Sequence, residues 1–204
     1  MTTPTPFLTT PRLHLLLPLP SSDAHCDFLV TLYNTPEFIA SIGGRPTSIT
    51  TRAAARDLMS TNWAADRERN GYGSYFICLK PSPDAAAKGD VEGELVGMVS
   101  LMRGEEPDRY PAPDLGFAVL PGYMRRGYAK EAGAAVVEWV VSREGGGEEG
   151  VFGFCDVGNE ASKGVFRSLG FEGRGVHKLR VFGGEESDVW TFGMEGRGVE
   201  GFGL

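Results

Sequence analysis

Apolar positions recur at two different periods along this chain, and the switch between them divides it into a helical first third and a strand-rich remainder. Arg12–Leu17 runs apolar like a strand, and Pro18 and Pro20 stop it before Ser22 and Asp23 cap a helix. That helix carries Phe28, Leu29, Leu32 and Tyr33 at helical spacing and ends near Asn34, where Thr35-Pro36 opens a short second segment. Ser41–Ser48 reads as a loop. Thr50 or Thr51 then caps a longer helix with Ala55, Leu58, Met59 and Trp63 on one side, ending before Gly71. From Gly73 the period becomes that of strands. Ser74–Leu79 and Glu94–Met102 flank a Pro-, Ala- and Gly-rich stretch, Pro81–Gly93, that reads as an exposed hairpin connection.

A polar loop, Arg103–Pro113, leads into a strand at Asp114–Leu120, and a helix follows over Gly127–Glu144. Its Ala132, Ala135, Val136, Trp139 and Val140 form an apolar stripe opposite Glu131, Glu138 and Ser142, and three glycines from Gly145 end it. An apolar run, Val151–Cys155, precedes a helix that starts at Asn159. Two closing strands, Gly175–Phe182 and Asp188–Met194, are joined through Gly183-Gly184. Frayed ends are expected over about residues 1–10 and 195–204. No repeat or internal boundary interrupts the pattern, so 1–204 is expected to be one domain.

The densest chemistry lies at Asp114–Ala132, DLGFAVLPGYMRRGYAKEA, where an apolar strand passes through a Gly- and Arg-containing turn straight into a helix. A helix N-terminus entered through small residues presents free N–H groups and a positive dipole end, which suits a phosphate. The nucleotide loop G-x-x-x-x-G-K-S/T and the dinucleotide fingerprint G-x-G-x-x-G are both missing. The turn resembles instead the pyrophosphate loop of the GNAT superfamily of N-acetyltransferases, Q/R-x-x-G-x-G/A, with Gly127 and Ala129 in its last two places and Met124 and Arg125 where Gln or Arg and Gly are common. A second stretch, Asn159-Glu-Ala-Ser162 leading to Phe166 and Leu169-Gly170-Phe171, resembles the next helix of that superfamily and is closest to its RimJ/RimL-like branch. Helical spacing puts Asn159, Ser162 and Phe166 on one face and Ala161, Val165 and Leu169 on another, the second expected to meet the core. Gly170 reads as a left-handed helix end with Phe171 folding back.

The resemblance implies an α+β fold: a mixed, mostly antiparallel twisted sheet of about six to seven strands, flanked by helices and splayed at its centre to bind acetyl-CoA as co-substrate. It implies that a main-chain N–H among Phe117, Ala118 and Val119 faces the thioester oxygen, and that Val119 and Leu120 bond the pantetheine arm through their backbone. It implies that Met124, Arg125, Arg126, Gly127, Tyr128 and Ala129 wrap the pyrophosphate, and that Asn159 holds the pantetheine. Phe166 stands where many members carry a tyrosine near the thiolate, and Ser162, one turn earlier, either bonds the sulfur or merely permits close packing. For a general base the candidates are Asp114 and Glu105 or Glu106, each also readable as a solvated loop carboxylate, with a water chain as the alternative. The implied activity is transfer of acetyl to a primary amine, on a small molecule or a protein N-terminus. The alternative is a catalytically weak acyl-CoA sensor of the same fold.

Composition narrows the partners. A net charge of −7 disfavours nucleic acid and anionic membrane surfaces and favours a cationic amine. No basic and apolar leader opens the chain and no run approaches the ~20 apolar residues of a membrane span, so a cytoplasmic protein, monomer or homodimer, is expected. Cys26, Cys78 and Cys155 lack C-x-x-C spacing and sit in apolar segments, as reduced core residues do. The three histidines are too scattered for a metal site.

Overall fold

Capping side chains set where the early helices of the computed structural model begin; it describes residues 6–81, 93–105, 109–143, 150–180 and 183–194. The Ser22 hydroxyl accepts from the His25 amide to start α1, Asp23–Tyr33. Thr35 does the same for the Phe38 amide in α2, Pro36–Ser41, and Thr51 for the Ala54 amide in α3, Arg52–Ser60. The long helix expected up to Gly71 is broken. Thr61 leaves helical geometry with φ −108° and ψ −84°, its hydroxyl bonding the Asp57 carbonyl, and α4 restarts over Asn62–Asn70.

The strands are β1 (Leu8–Thr9), β2 (Leu13–Leu16), β3 (Ser74–Leu79), β4 (Glu94–Met102), β5 (Asp114–Val119), β6 (Val151–Cys155), β7 (Glu172–Leu179) and β8 (Glu185–Phe192). They form an eight-stranded sheet in the order β1-β2-β3-β4-β5-β6-β8-β7. One more strand is present than the six to seven expected, because Leu8 and Thr9 pair with Leu15 and His14 instead of fraying. Phe7, beside them, stacks on Tyr75 at 4.2 Å. The closing strands each begin three residues earlier than their apolar runs suggested, β7 at Glu172, which pairs with Thr191, and β8 at Glu185, directly after the Gly183-Gly184 turn. The expected hairpin connection after Pro81 and the tail from Glu195 lie outside the described residues.

Every pairing is antiparallel except β5 with β6, which run parallel and share a single registered pair, Asp114 with Phe152. Beyond that pair the two strands diverge. Helix α5 (Tyr128–Val141) covers one face, burying Ala132, Val136 and Val140 on Leu13, Val99 and Leu115. Helices α1 and α3 cover the other, packing Leu29, Leu32 and Met59 around Phe76 and Met98. Burying each such aliphatic side chain contributes about 1.5–3 kcal/mol. Helix α6 (Glu160–Ser168) corrects the expected orientation: Ala161 is exposed, Val165 and Leu169 are half-buried, and the core residue is Phe166, 1% exposed. Its ring meets Phe117, Phe171 and Trp190 at 5.3–6.0 Å, and a Cβ at Gly153 would strike it at 2.4 Å. The helix ends as read, with Gly170 at φ +84° and the Phe171 amide bonding the Phe166 carbonyl.

Candidate active site

The divergence of β5 from β6 decides which backbone groups are left to meet a ligand. Antiparallel pairs alternate between residues that exchange hydrogen bonds and residues that do not. The Leu120 amide donates to the Val96 carbonyl at 2.9 Å, which makes the even positions of β5 the ones bonded to β4. The polar groups of Phe117 and Val119 therefore turn toward the gap beside β6, while those of Ala118 turn to β4. The Leu120 amide is taken by Val96 and its carbonyl accepts from the Tyr123 amide, which leaves that carbonyl's second lone pair for a pantetheine arm.

At the apex of the gap sits Asp114, buried at 9% exposure where a solvated loop carboxylate was one reading. Its Oδ1 accepts the Phe154 amide at 3.3 Å, a β6 donor just past the Asp114–Phe152 pair where the strands part. Burial pushes the carboxyl up to about 7, and the Phe154 amide offsets this only in part. Asp114 shares a sheet face with Gly116 and Ala118 and is paired with Met102. Glu105 is exposed and paired with Arg69 at 3.0 Å, as a solvated carboxylate would be, and Glu106 lies outside the described residues.

A cleft of ≈ 210 Å³ opens over this face, and it gathers Phe117, Ala118, Asn159, Ser162 and Phe166 from the expected set. Asn159 caps α6, its Oδ1 accepting the Ser162 amide at 3.0 Å, which leaves its amide nitrogen toward the cleft. Cys155 also lines the cleft, and burial, helped by the nearby Asp188 carboxylate, raises its thiol to about 11. It stays protonated. Asp188 lies within β8 and pairs with Lys163 at 2.8 Å, tying α6 to the sheet. Tyr33, Phe38, Trp63, Ser74 and Ser100 also line the cleft, and no motif marks them individually.

Past β5, a 3-10 turn at Pro121–Tyr123 leads to Met124, exposed, and then to Arg125 at φ 61° and Gly127 at φ 81°. Two left-handed residues around Arg126 fold the backbone into a concave row of amides. Gly127 is the N-cap of α5 and supplies no side-chain cap, so the first N–H groups of that helix stay open. Arg125 and Arg126 are exposed beside them, whereas Tyr128 is buried in the core and Ala129 packs against it.

Arg12, which sequence reasoning passed over as the start of a strand, braces this turn. Its Nη1 donates to the Arg126 carbonyl at 3.0 Å, its guanidinium lies 4.7 Å over the Tyr128 ring, and its Nε meets Glu131 at 2.6 Å. Burial pushes the Glu131 carboxyl up, but bonds from the Thr10 hydroxyl and the Arg12 amide and guanidinium outweigh it and hold it below the ordinary value. This contribution to stability is present above the ordinary carboxylate range and is lost as pH falls through the folded value. Arg12→Ala is expected to weaken binding of a phosphate ligand at this turn roughly tenfold. The pair is partly solvated, so unfolding stability should fall by only about 1 kcal/mol, with a shallower acid limb. Equilibrium dialysis and urea unfolding between neutral and acid pH check both.

The family model for the acetyltransferase (GNAT) domain matches residues 14–172. No curated protein sequence matches the chain. Among solved structures, an acetyltransferase from Agrobacterium tumefaciens superposes with a TM-score of 0.69 at 20% identity, over 94% of this chain and 96% of that one. The microcin self-immunity acetyltransferase MccE, in complex with acetyl-CoA and AMP, gives 0.67 at 16% identity over 93% and 96%. RimL, a ribosomal-protein alpha-N-acetyltransferase in complex with coenzyme A, gives 0.65 at 17% identity over 95% and 98%. With a family model spanning most of its length, this chain belongs to the GNAT acetyltransferase family.

Proposed function

We propose that the whole chain, 1–204, works as one cytoplasmic N-acetyltransferase domain of RimJ/RimL-like type that moves acetyl from acetyl-CoA to a primary amine. The observation that carries this reading is the backbone of β5, with the polar groups of Phe117 and Val119 turned into the gap and the open N-terminus of α5 beyond them. The amides from Met124 to Ala129 hold the pyrophosphate, with charge-assisted bonds from Arg125 and Arg126. Val119 bonds the pantetheine arm through its backbone, and Asn159 reaches it with its free amide nitrogen. The thioester carbonyl then lies against the Phe117 N–H, which stabilises the oxyanion.

In the reaction the amine lone pair attacks the acetyl carbon, a C–N bond forms, the C–S bond breaks, and CoA leaves as a thiolate beside the Ser162 hydroxyl. Before attack the incoming ammonium gives one proton to Asp114 through Ser100 or a water, because a carboxyl near 7 is matched to proton acceptance at neutral pH, and the proton left on the nitrogen once the C–N bond forms passes to the departing thiolate. Transfer is direct, since the cleft's Cys155 thiol is held protonated. Intact-mass spectrometry of quenched reactions tests this: the protein should never gain an acetyl group during turnover, and an acetylated protein that decays on adding amine would replace direct attack by a covalent route.

One observation favours a second reading, a catalytically weak acyl-CoA sensor. Phe166 is packed into the core and brings no hydroxyl to the thiolate. Tight acetyl-CoA binding with no amine-dependent thiol release would select it.

A further inference from the structure

The cleft described above holds an acceptor side with its own chemistry, and this inference rests on the acetyltransferase reading. Its wall is aromatic: Tyr33 and Phe38 stack at 4.3 Å with Trp63 edge-on at 6.5 Å, and Ile42 and Met102 stand exposed at the same cleft. Its floor is a row of small residues in register across three strands, Ser74 opposite Ser100 and Ser100 opposite Gly116. Strand spacing puts Ser100 about 5 Å and Ser74 about 10 Å from β5, so the row leads from the thioester position out under the aromatic wall. The row cannot be taller at its inner end, because a Cβ at Gly116 would lie 2.6 Å from the Ser100 hydroxyl. Both serines are nearly inaccessible, at 6% and 3%, yet neither hydroxyl has a hydrogen-bond partner among the described residues, and both line the cleft. Neither hydroxyl is sealed off, since the enclosed side-chain polar atom without a partner among the described residues is Trp190 Nε1, so both open onto an apolar cavity where a ligand can bond them. Among the described residues, no carboxylate lines this cleft.

We propose that the acceptor is a monoamine with an aromatic or flat apolar body and at most neutral hydrogen-bonding groups, seated on the Ser100–Ser74 row under Tyr33, Phe38 and Trp63. The reacting nitrogen needs no resident counter-ion, because it gives up its proton before attacking and is neutral when the C–N bond forms. A second ammonium, as in a polyamine or an aminoglycoside, keeps its charge and would lose water against rings and thioethers with nothing to pair it.

Thiol release with acetyl-CoA should show kcat/KM for 2-phenylethylamine roughly 100-fold above that for spermidine or kanamycin. Phe38→Ala and Ser74→Val should each lower the 2-phenylethylamine value while leaving acetyl-CoA affinity unchanged. Calorimetric titration of 2-phenylethylamine and spermidine into the CoA-loaded protein separates this from the acetyltransferase reading. Binding of the arylalkylamine alone, without turnover, supports the acceptor site and overturns the enzyme. Preferred acetylation of spermidine or kanamycin overturns the acceptor site and leaves the enzyme standing. Failure of 2-phenylethylamine to bind at all also overturns the acceptor site.

Discussion

Gly127→Val is expected to abolish acetyl-CoA binding. Gly127 sits at φ 81°, where a β-branched residue is strained by about 1–2 kcal/mol or more. The larger effect is local: a valine side chain would stand over the open amides at the start of α5, and its Cβ alone would lie 3.4 Å from the Arg12 guanidinium that braces the Arg126 carbonyl. A backbone anion site has no side chain to compensate when its amides are covered or rotated. Calorimetry should find no binding at acetyl-CoA concentrations that saturate the parent, while circular dichroism shows a folded protein. Affinity within about threefold of the parent, less than 1 kcal/mol, would move the phosphate site elsewhere.

Asp114→Asn should separate the proton acceptance proposed for the buried carboxylate from its bond to the Phe154 amide. Asparagine keeps an Oδ1 for the Phe154 amide, so the apex of the gap stays closed, but it cannot accept a proton at neutral pH. Amine acetylation should drop by roughly 10²-fold or more, and the rise of wild-type kcat with pH, centred near 7, should disappear. Stability moves the other way. The folded carboxyl is raised from 3.8 to about 7, so the folded state holds the proton more tightly, and the parent loses stability as pH rises across that window. The variant should lose that slope and be the more stable protein at alkaline pH by urea unfolding. A variant with full activity would leave Asp114 as a structural cap alone.

Much of this was legible because local rules agree with the fold. Ser22, Thr35 and Thr51 cap the helices that their spacing announced, and Gly127 starts α5. The turn around Gly127 and the Asn159–Phe171 helix were readable for the same reason: a phosphate cradle and a helix end demand particular backbone shapes, and glycine in fixed places advertises them. Thr61 was not readable as a break, since its bond to the Asp57 carbonyl four residues back is one that threonines also make within unbroken helices. Leu8–Thr9 is too short a strand to carry a period. Asp114 was ambiguous because one carboxylate beside a loop looks the same in sequence whether the neighbouring strand covers it or not.

The individual residues of the acceptor wall were not legible for a different reason. Tyr33, Trp63, Ser74 and Ser100 come from two helices and two strands that meet only in three dimensions, and each alone reads as an ordinary core or strand residue. The global charge of −7 pointed to cationic acceptors, but a ligand responds to the groups it touches, and the cleft residues described are uncharged. Arg12 shows the same limit, lying more than a hundred positions from the Arg126 and Glu131 it holds.

The most direct measurement of the central claim is the stoichiometry of amine-dependent acetyl transfer. Purified protein is mixed with acetyl-CoA and a primary amine, and free CoA thiol is followed alongside the acetamide by mass spectrometry. The account predicts one acetamide per thiol released, release that depends on the amine, and loss of both in Gly127→Val. Tight acetyl-CoA binding with thiol release that never exceeds the amine-free rate, across arylalkylamines, polyamines, aminoglycosides and peptide N-termini, would contradict it.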